Sequence, residues 1–182
     1  MSGIAYAFFD TDIGRCAIAW GDGGIKGLRL PDDDPAYALR RLLNRFPDAE
    51  EVAPPPRIQA VIDDIVRLMR GEKVDLSAAP LDMSDVPEFH RRIYAVAMRI
   101  QPGQIRTYGD IARDLGDITL SRAVGQAMGA NPFPIVMPCH RVMAAGGKLG
   151  GFSAPGGSNT KLKMLVIEGG KPDAGPQGDL FG

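Results

Sequence analysis

The chain of 182 residues contains only two cysteines, two histidines and one tryptophan. Cys16 and Cys139 are too few and too far apart for a disulfide framework, and they fit a reducing, cytosolic compartment. No apolar run approaches the roughly 18 residues that span a bilayer. The opening stretch MSGIAYAFFDTDIG lacks the basic start and small-residue cleavage site of a secretory signal, so a cytoplasmic location is expected. Large net charge is also missing, with 21 Lys and Arg against 22 Asp and Glu. At 45% hydrophobic and 24% charged, the composition is that of a soluble globular protein of one medium domain or two small ones.

The charge is unevenly spread. Residues 1–84 carry 10 basic and 14 acidic side chains, and residues 85–168 carry 10 and 6. An acidic front and a basic back suggest that the back half alone meets a polyanion, although random surface variation would give the same counts.

Short apolar runs in IAYAFFDTDIGRCAIAWGDGGIKGLRLP, broken by GDGG, predict antiparallel strands joined by a hairpin. Cys16 falls in one of these strands and reads as a small buried hydrophobe. DPAYALRRLLNRF predicts a helix, with Ala38, Leu39, Leu42, Leu43 and Phe46 on one face and Pro47 as its stop. APPPRIQAVIDDIVRLMRGE predicts a second, ended by Gly71. A boundary falls near APLDMSDVPEFH. Beyond it, Asp85 is expected to cap a helix with Pro87 in its first turn and Phe89, Ile93, Val96, Ala97 and Ile100 on its apolar face.

QPGQIRTYGDIARDLGDITLSRAVGQAMGANPFP holds two short helical patterns, about Tyr108–Leu115 and Leu120–Ala130, which make a helix-turn-helix candidate. In the second, Ala123, Gly125, Ala127 and Gly129 are expected to leave one side smooth, with Arg122 and Gln126 beside it. Gly inside a helix costs about 1 kcal/mol relative to Ala, so a close approach by protein or nucleic acid is expected there.

NPFPIVMPCHRVMAAGGKLGGFSAPGG then sets Cys139 between prolines and a glycine-rich loop, with His140 and Arg141 following. Pro138 stiffens the approach to the thiol. A Cys–His nucleophile pair is the simplest chemical reading. Adjacent residues of an extended segment point to opposite sides, so His140 reaches Cys139 only if the chain turns or a water intervenes. An inert, buried cysteine is the competing reading, and it leaves the Pro, His, Arg and Gly neighbours unexplained.

NPFPIVMPCHRV, with Pro138, Cys139, His140, Arg141 and Val142 at its heart, resembles the signature of the O6-alkylguanine-DNA alkyltransferases. The resemblance extends through IRTYGDIA, SRAVGQAMGANP, GGKLGGFS and LKMLVIEGG, strongly over residues 86–169 and more faintly over 1–80. It implies an α/β (α+β) fold. A small N-terminal antiparallel-sheet, ribonuclease H-like domain (1–82) precedes a mostly helical, winged helix-turn-helix-like catalytic and DNA-binding domain (83–169). It further implies that an alkylated guanine is flipped out of double-stranded DNA and its alkyl group moved irreversibly to Cys139, once per molecule.

By the same resemblance, His140 deprotonates Cys139 through a water and is oriented by Glu168. Tyr108 donates toward the leaving base, and Asn131 ties the helix-turn-helix to the active-site segment. Val142, Ser153, Phe152 and Pro138 join Tyr108 in the base pocket. Arg122 fills the gap in the base stack, with Thr107, Ser121, Ala123, Gly125 and Gln126 beside the DNA. The loop FSAPGGSNTKLK is longer, and Phe152 stands where many relatives have Tyr. The zinc-binding Cys and His set of some relatives is missing, so neither metal nor cofactor is expected.

The tail GGKPDAGPQGDLFG (170–182 by the domain division) reads as disordered. Within it, Gln177, Leu180 and Phe181 of QGDLF resemble the peptide by which bacterial DNA enzymes hold the replication sliding clamp. Three other readings stand beside alkyl transfer: a recognition module without transfer, a helix-turn-helix regulator and a cysteine hydrolase. The regulator requires a dimerisation element that the sequence does not show, and a monomer is expected.

Overall fold

The computed structural model describes residues 3–145 and 157–170. β1 (Ala5–Thr11), β2 (Gly14–Gly21) and β3 (Gly24–Arg29) form an antiparallel meander, as their alternating apolar residues predict. Gly14 and Gly24 open β2 and β3 at φ of 121° and 123°, a region closed to most side chains. Cys16 on β2 is 1% exposed, and burial raises its thiol to about 12, so it is inert packing.

α1 (Pro35–Arg45) starts at Asp34, whose carboxylate accepts from the Ala36 amide, and Pro35 fits its first position. It crosses over to β4 (Glu50–Glu51), which pairs with β1 in parallel to give the sheet order β3-β2-β1-β4. The expected antiparallel sheet therefore carries one parallel edge, because a helical crossover returns the chain in the same direction. α2 (Pro56–Met69) buries Ile58, Val61, Ile62, Ile65, Leu68 and Met69, and Gly71 follows at φ 98°.

α3 (Glu88–Ala97) has Pro87 at its cap position and no side-chain cap. Asp85 does not serve as expected. Lys26 on β3 donates to its carboxylate at 2.6 Å and holds it against the sheet instead. The face that α3 buries centres on Ile93, Tyr94 and Ala97, and Phe89 and Val96 are only half-buried.

β5 (Arg106–Thr107) leads directly into α4 (Tyr108–Asp114). The junction is a capping box, in which the Thr107 hydroxyl accepts from the Asp110 amide and the Asp110 carboxylate accepts from the Thr107 amide. Gly116 at φ 93° and a 3₁₀ turn (Ile118–Leu120) lead to α5 (Ser121–Gly129), completing the helix-turn-helix. The Tyr94 hydroxyl on α3 donates to the Ala127 carbonyl of α5 at 2.7 Å and fixes the height of α5 over the core.

A second 3₁₀ turn (Cys139–Arg141) runs into β6 (Val142–Met143), which pairs in parallel with β5, and α6 (Gly157–Ile167) closes the described chain. One buried cluster draws on both halves of the sequence, from Ile18 and Ile25 to Phe133 and Met137. The Leu28 amide donates to the Pro132 carbonyl at 2.9 Å across that contact.

Candidate active site

The β5–β6 pairing sets the frame. Arg106 lies opposite Val142 and Thr107 opposite Met143, so Tyr108 begins α4 beside the Cys139 segment. The approach to Cys139 is strained, for Ile135 is held at φ 76° while 1% exposed. A β-branched residue there costs on the order of 1–3 kcal/mol, which the packing around it must offset.

Asn131 braces the same segment from the end of α5. Its Nδ2 donates to the Met137 carbonyl at 2.9 Å and to Cys139 Sγ at 3.2 Å, and its Oδ1 accepts from the Phe133 amide at 2.8 Å. Cys139 lines a cleft of about 440 Å³ together with Tyr108, Met128, Asn131 and Pro134. The volume suits a small-molecule-sized group. The cleft's wall also includes Arg29, Arg41 and Arg45 from the N-terminal half.

The 3₁₀ turn removes the objection that neighbouring residues must point apart. His140 is wholly buried, and its Nε2 lies 2.9 Å from Glu168 Oε1. Arg141 grips the same carboxylate twice, Nε to Oε1 at 2.9 Å and Nη2 to Oε2 at 2.7 Å, and its Nη1 donates to the Ile100 carbonyl at 2.7 Å. A carboxylate accepts only, so Nε2 carries the proton and Nδ1 is the basic nitrogen. Nδ1 is buried and has no hydrogen-bond partner among the described residues.

The described residues therefore bring a buried thiol and a helix-turn-helix to one cleft, with an oriented imidazole next to the thiol in sequence, and the similarity to known proteins covers the same residues. Residues 88–170 match the family model described as 6-O-methylguanine DNA methyltransferase, DNA binding domain. A methylated-DNA–protein-cysteine methyltransferase of Methanosarcina acetivorans is 43% identical over 166 residues, covering 90% of this chain and 97% of the relative. One from Mycolicibacterium paratuberculosis is 34% identical, covering 91% and 92%. This chain belongs to the methylated-DNA–protein-cysteine methyltransferase family. The crystal structure of Mycobacterium tuberculosis OGT in complex with DNA superposes with a TM-score of 0.71 at 30% identity, over 91% of this chain and 92% of that one. That likeness spans the N-terminal sheet as well as the helix-turn-helix.

In this methyltransferase-family site, burial sets the resting protonation. It pushes the Cys139 thiol up, and the Asn131 hydrogen bond and the Lys161 charge pull it back only in part. Burial pushes His140 down and outweighs the pull of Glu168. At neutral pH the pair thus rests as thiol and neutral imidazole. Burial alone would raise Glu168, but the His140 ring and the Arg141 guanidinium overcome it and hold the carboxyl at about 2. With His140 neutral, the permanent charge that keeps Glu168 ionised is that of Arg141.

Two residues of the site are missing from the sequence reading. Lys161 on α6 is 1% exposed, donates to the Val142 carbonyl at 2.7 Å, and is pushed down to about 8 by burial despite the opposing Cys139 charge. Tyr94 lines the cleft beneath α5. Tyr94 sits on the face predicted for α3, one residue from Ile93, and its hydroxyl is the clue that was available.

Among the expected DNA-facing residues, Arg122 and Gln126 are exposed one turn apart on α5, and Ser121, Ala123 and Gly125 are half-buried. The Thr107 hydroxyl is taken up by the α4 cap, and Ser121 Oγ donates to the Ile118 carbonyl at 2.9 Å. The small residues do not share one side of α5, because a spacing of two alternates between opposite sides of a helix. Ala127 is core, a Cβ on Gly125 would meet the Tyr108 ring at 3.5 Å, and Gly129 is exposed. Tyr108 is half-buried, and burial, then the Cys139 charge, raise its hydroxyl, so it stays a proton donor. Val142 and Pro138 are buried beside Cys139. Ser153, Phe152, Gln177, Leu180 and Phe181 lie outside the described residues.

Proposed function

We propose that this protein repairs DNA by moving the alkyl group of O6-alkylguanine onto Cys139 in a single, irreversible step. The observation that carries this reading is a buried, oriented base next in sequence to Cys139: His140 is held by Glu168 at one nitrogen and has no hydrogen-bond partner at the other among the described residues. The thiol proton passes to His140 Nδ1 through a water, and Glu168 stabilises the imidazolium that results. The thiolate sulfur then forms a bond to the alkyl carbon while the carbon–O6 bond breaks.

The electron pair of that bond leaves on the guanine. Tyr108 donates its hydroxyl proton toward the base, which departs neutral. The sulfur ends as a thioether with no good leaving group, so each molecule acts once. Arg122, exposed on α5, enters the stack as the base leaves it, at a cost of a few kcal/mol offset by backbone contacts. Residues 83–169 hold this machinery, and residues 1–82 support it from the sheet. Double-stranded DNA carrying the lesion is the partner, and the protein works as a monomer in the cytoplasm without cofactor or metal.

Incubation with an O6-methylguanine oligonucleotide followed by peptide mass spectrometry tests the transfer. One methyl group on the Cys139 peptide is expected. An unmodified protein that still binds the oligonucleotide would establish recognition without transfer. Cys139→Ala should keep DNA binding and lose the mass shift. The QGDLF tail is proposed to bind a bacterial sliding clamp through Leu180 and Phe181. Fluorescence anisotropy of the tail peptide with such a clamp checks this, and binding that survives both Ala substitutions would end the idea.

A further inference from the structure

Arg29 at the end of β3 and Arg41 and Arg45 on α1 line the same cleft as Cys139. They come from the half of the chain in which acidic residues outnumber basic ones, 14 to 10, so general basicity does not explain them. Burial, then the charges of Arg41 and Arg45, loosen the hold of Arg29 on its proton. Burial does the same to Arg45 against the opposing charge of Asp85. Among the described residues none of the three forms an ion pair. Asp85 is bound by Lys26, and Asp32, the other acid on the cleft wall, accepts from the Asp34 amide. Aromatic rings flank two of them, Tyr37 at 5.9 Å from Arg41 and Phe46 at 4.7 Å from Arg45.

Three like charges on one wall, none in an ion pair among the described residues, make a positive surface that favours an anion. The same cleft is lined by the Cys139 thiol. An anion that arrives with a nucleobase at that thiol is the phosphodiester backbone of the base's own strand, and planar guanidinium forks suit phosphate oxygens. The geometry points to Arg29, Arg41 and Arg45 as a phosphate-binding wall that grips the lesion-bearing strand from the N-terminal half, opposite the helix-turn-helix. This rests on the transfer reading above, since only a strand whose base enters the cleft passes the wall.

The test is the salt dependence of binding to a fluorescent duplex containing O6-methylguanine. It compares the full-length protein with Arg29→Gln, Arg41→Gln, Arg45→Gln and the triple variant. Removing one arginine should lower the magnitude of the log affinity–log salt slope by about one, and removing all three should lower it by about three and cut affinity at least tenfold at low salt. Arg→Lys versions should retain the slope, and Arg70→Gln, at an exposed residue that ends α2 and does not line the cleft, should leave it unchanged. Reaction with free O6-methylguanine base, which has no phosphate, should be slowed less by the triple substitution than reaction with the duplex. A triple variant that folds, by circular dichroism, and keeps the wild-type slope overturns the wall. Failure of the wild type to take up the alkyl group from DNA would instead sink the transfer reading, independently of the slopes.

Discussion

Glu168→Gln should cost the fold about 3–5 kcal/mol at neutral pH, because it leaves the Arg141 guanidinium buried without its counter-charge. The Arg141 side chain is 7% exposed and the Glu168 side chain 0%, so little solvent screens the pair. The titration of Glu168 points in the same direction. Its carboxyl is held at about 2 in the folded protein against an ordinary 4.5. The sign follows from the direction of the shift: a depressed carboxyl stabilises the fold above its ordinary range and loses that contribution as pH falls from about 4.5 toward about 2. Since domains of this kind hold about 5–15 kcal/mol in total, the loss should be conspicuous.

Urea unfolding at neutral pH and at steps down through the acid range measures it. The gap between wild type and variant should be widest at neutral pH and should close as the wild-type carboxyl takes up its proton. Arg141→Met in the Glu168→Gln background should recover much of the loss, because the stranded charge goes with it. A variant as stable as the wild type at neutral pH, or a gap that stays constant in acid, would refute the reasoning.

Arg122→Ala should slow alkyl transfer from duplex DNA more than from free base, measured by single-turnover kinetics on both; equal slowing would remove the stack-filling role. Lys161→Met should move the pH profile of Cys139 alkylation by iodoacetamide to higher pH, because the buried ammonium assists the thiolate. Lys161→Arg should stay closer to wild type, and an unshifted profile for Lys161→Met would refute that assistance. In wild type the same assistance should fade as pH climbs through about 8, where Lys161 gives up its proton. Tyr94→Phe should lower stability by about 1–2 kcal/mol, as the Ala127 carbonyl loses a donor at 2.7 Å; thermal denaturation reads this, and an unchanged midpoint would count against it.

The helices that position the site were readable because their signals are local. Asp34–Pro35 and Gly71 mark the ends of α1 and α2, and the strand alternation around GDGG gives the meander. The expected Asp85 cap does not form because a carboxylate three residues before a helix is as free to bind a lysine from a distant strand as to close the helix end. The smooth side assigned to α5 failed for a different reason. Small residues two apart do not share a helical face, and what each one meets depends on the Tyr108 ring and the core beneath.

Glu168 entered only through the family resemblance, whereas the sequence's own patterns determined a proline-stiffened Cys139 with His140 and Arg141 and a helix-turn-helix pattern before it. Those features are written in neighbouring residues, through backbone restriction, capping and periodicity. The tertiary structure alone decided that Glu168 is shared by His140 and Arg141, which precede it by 28 and 27 residues. It also decided that Lys161 is buried against Val142, that β6 runs parallel to β5, and that three arginines from an acidic half reach the cleft. Each of these depends on which distant groups the hydrophobic core draws together. Desolvation there then makes an ion pair or a lone charge matter far more than its place in the chain reveals.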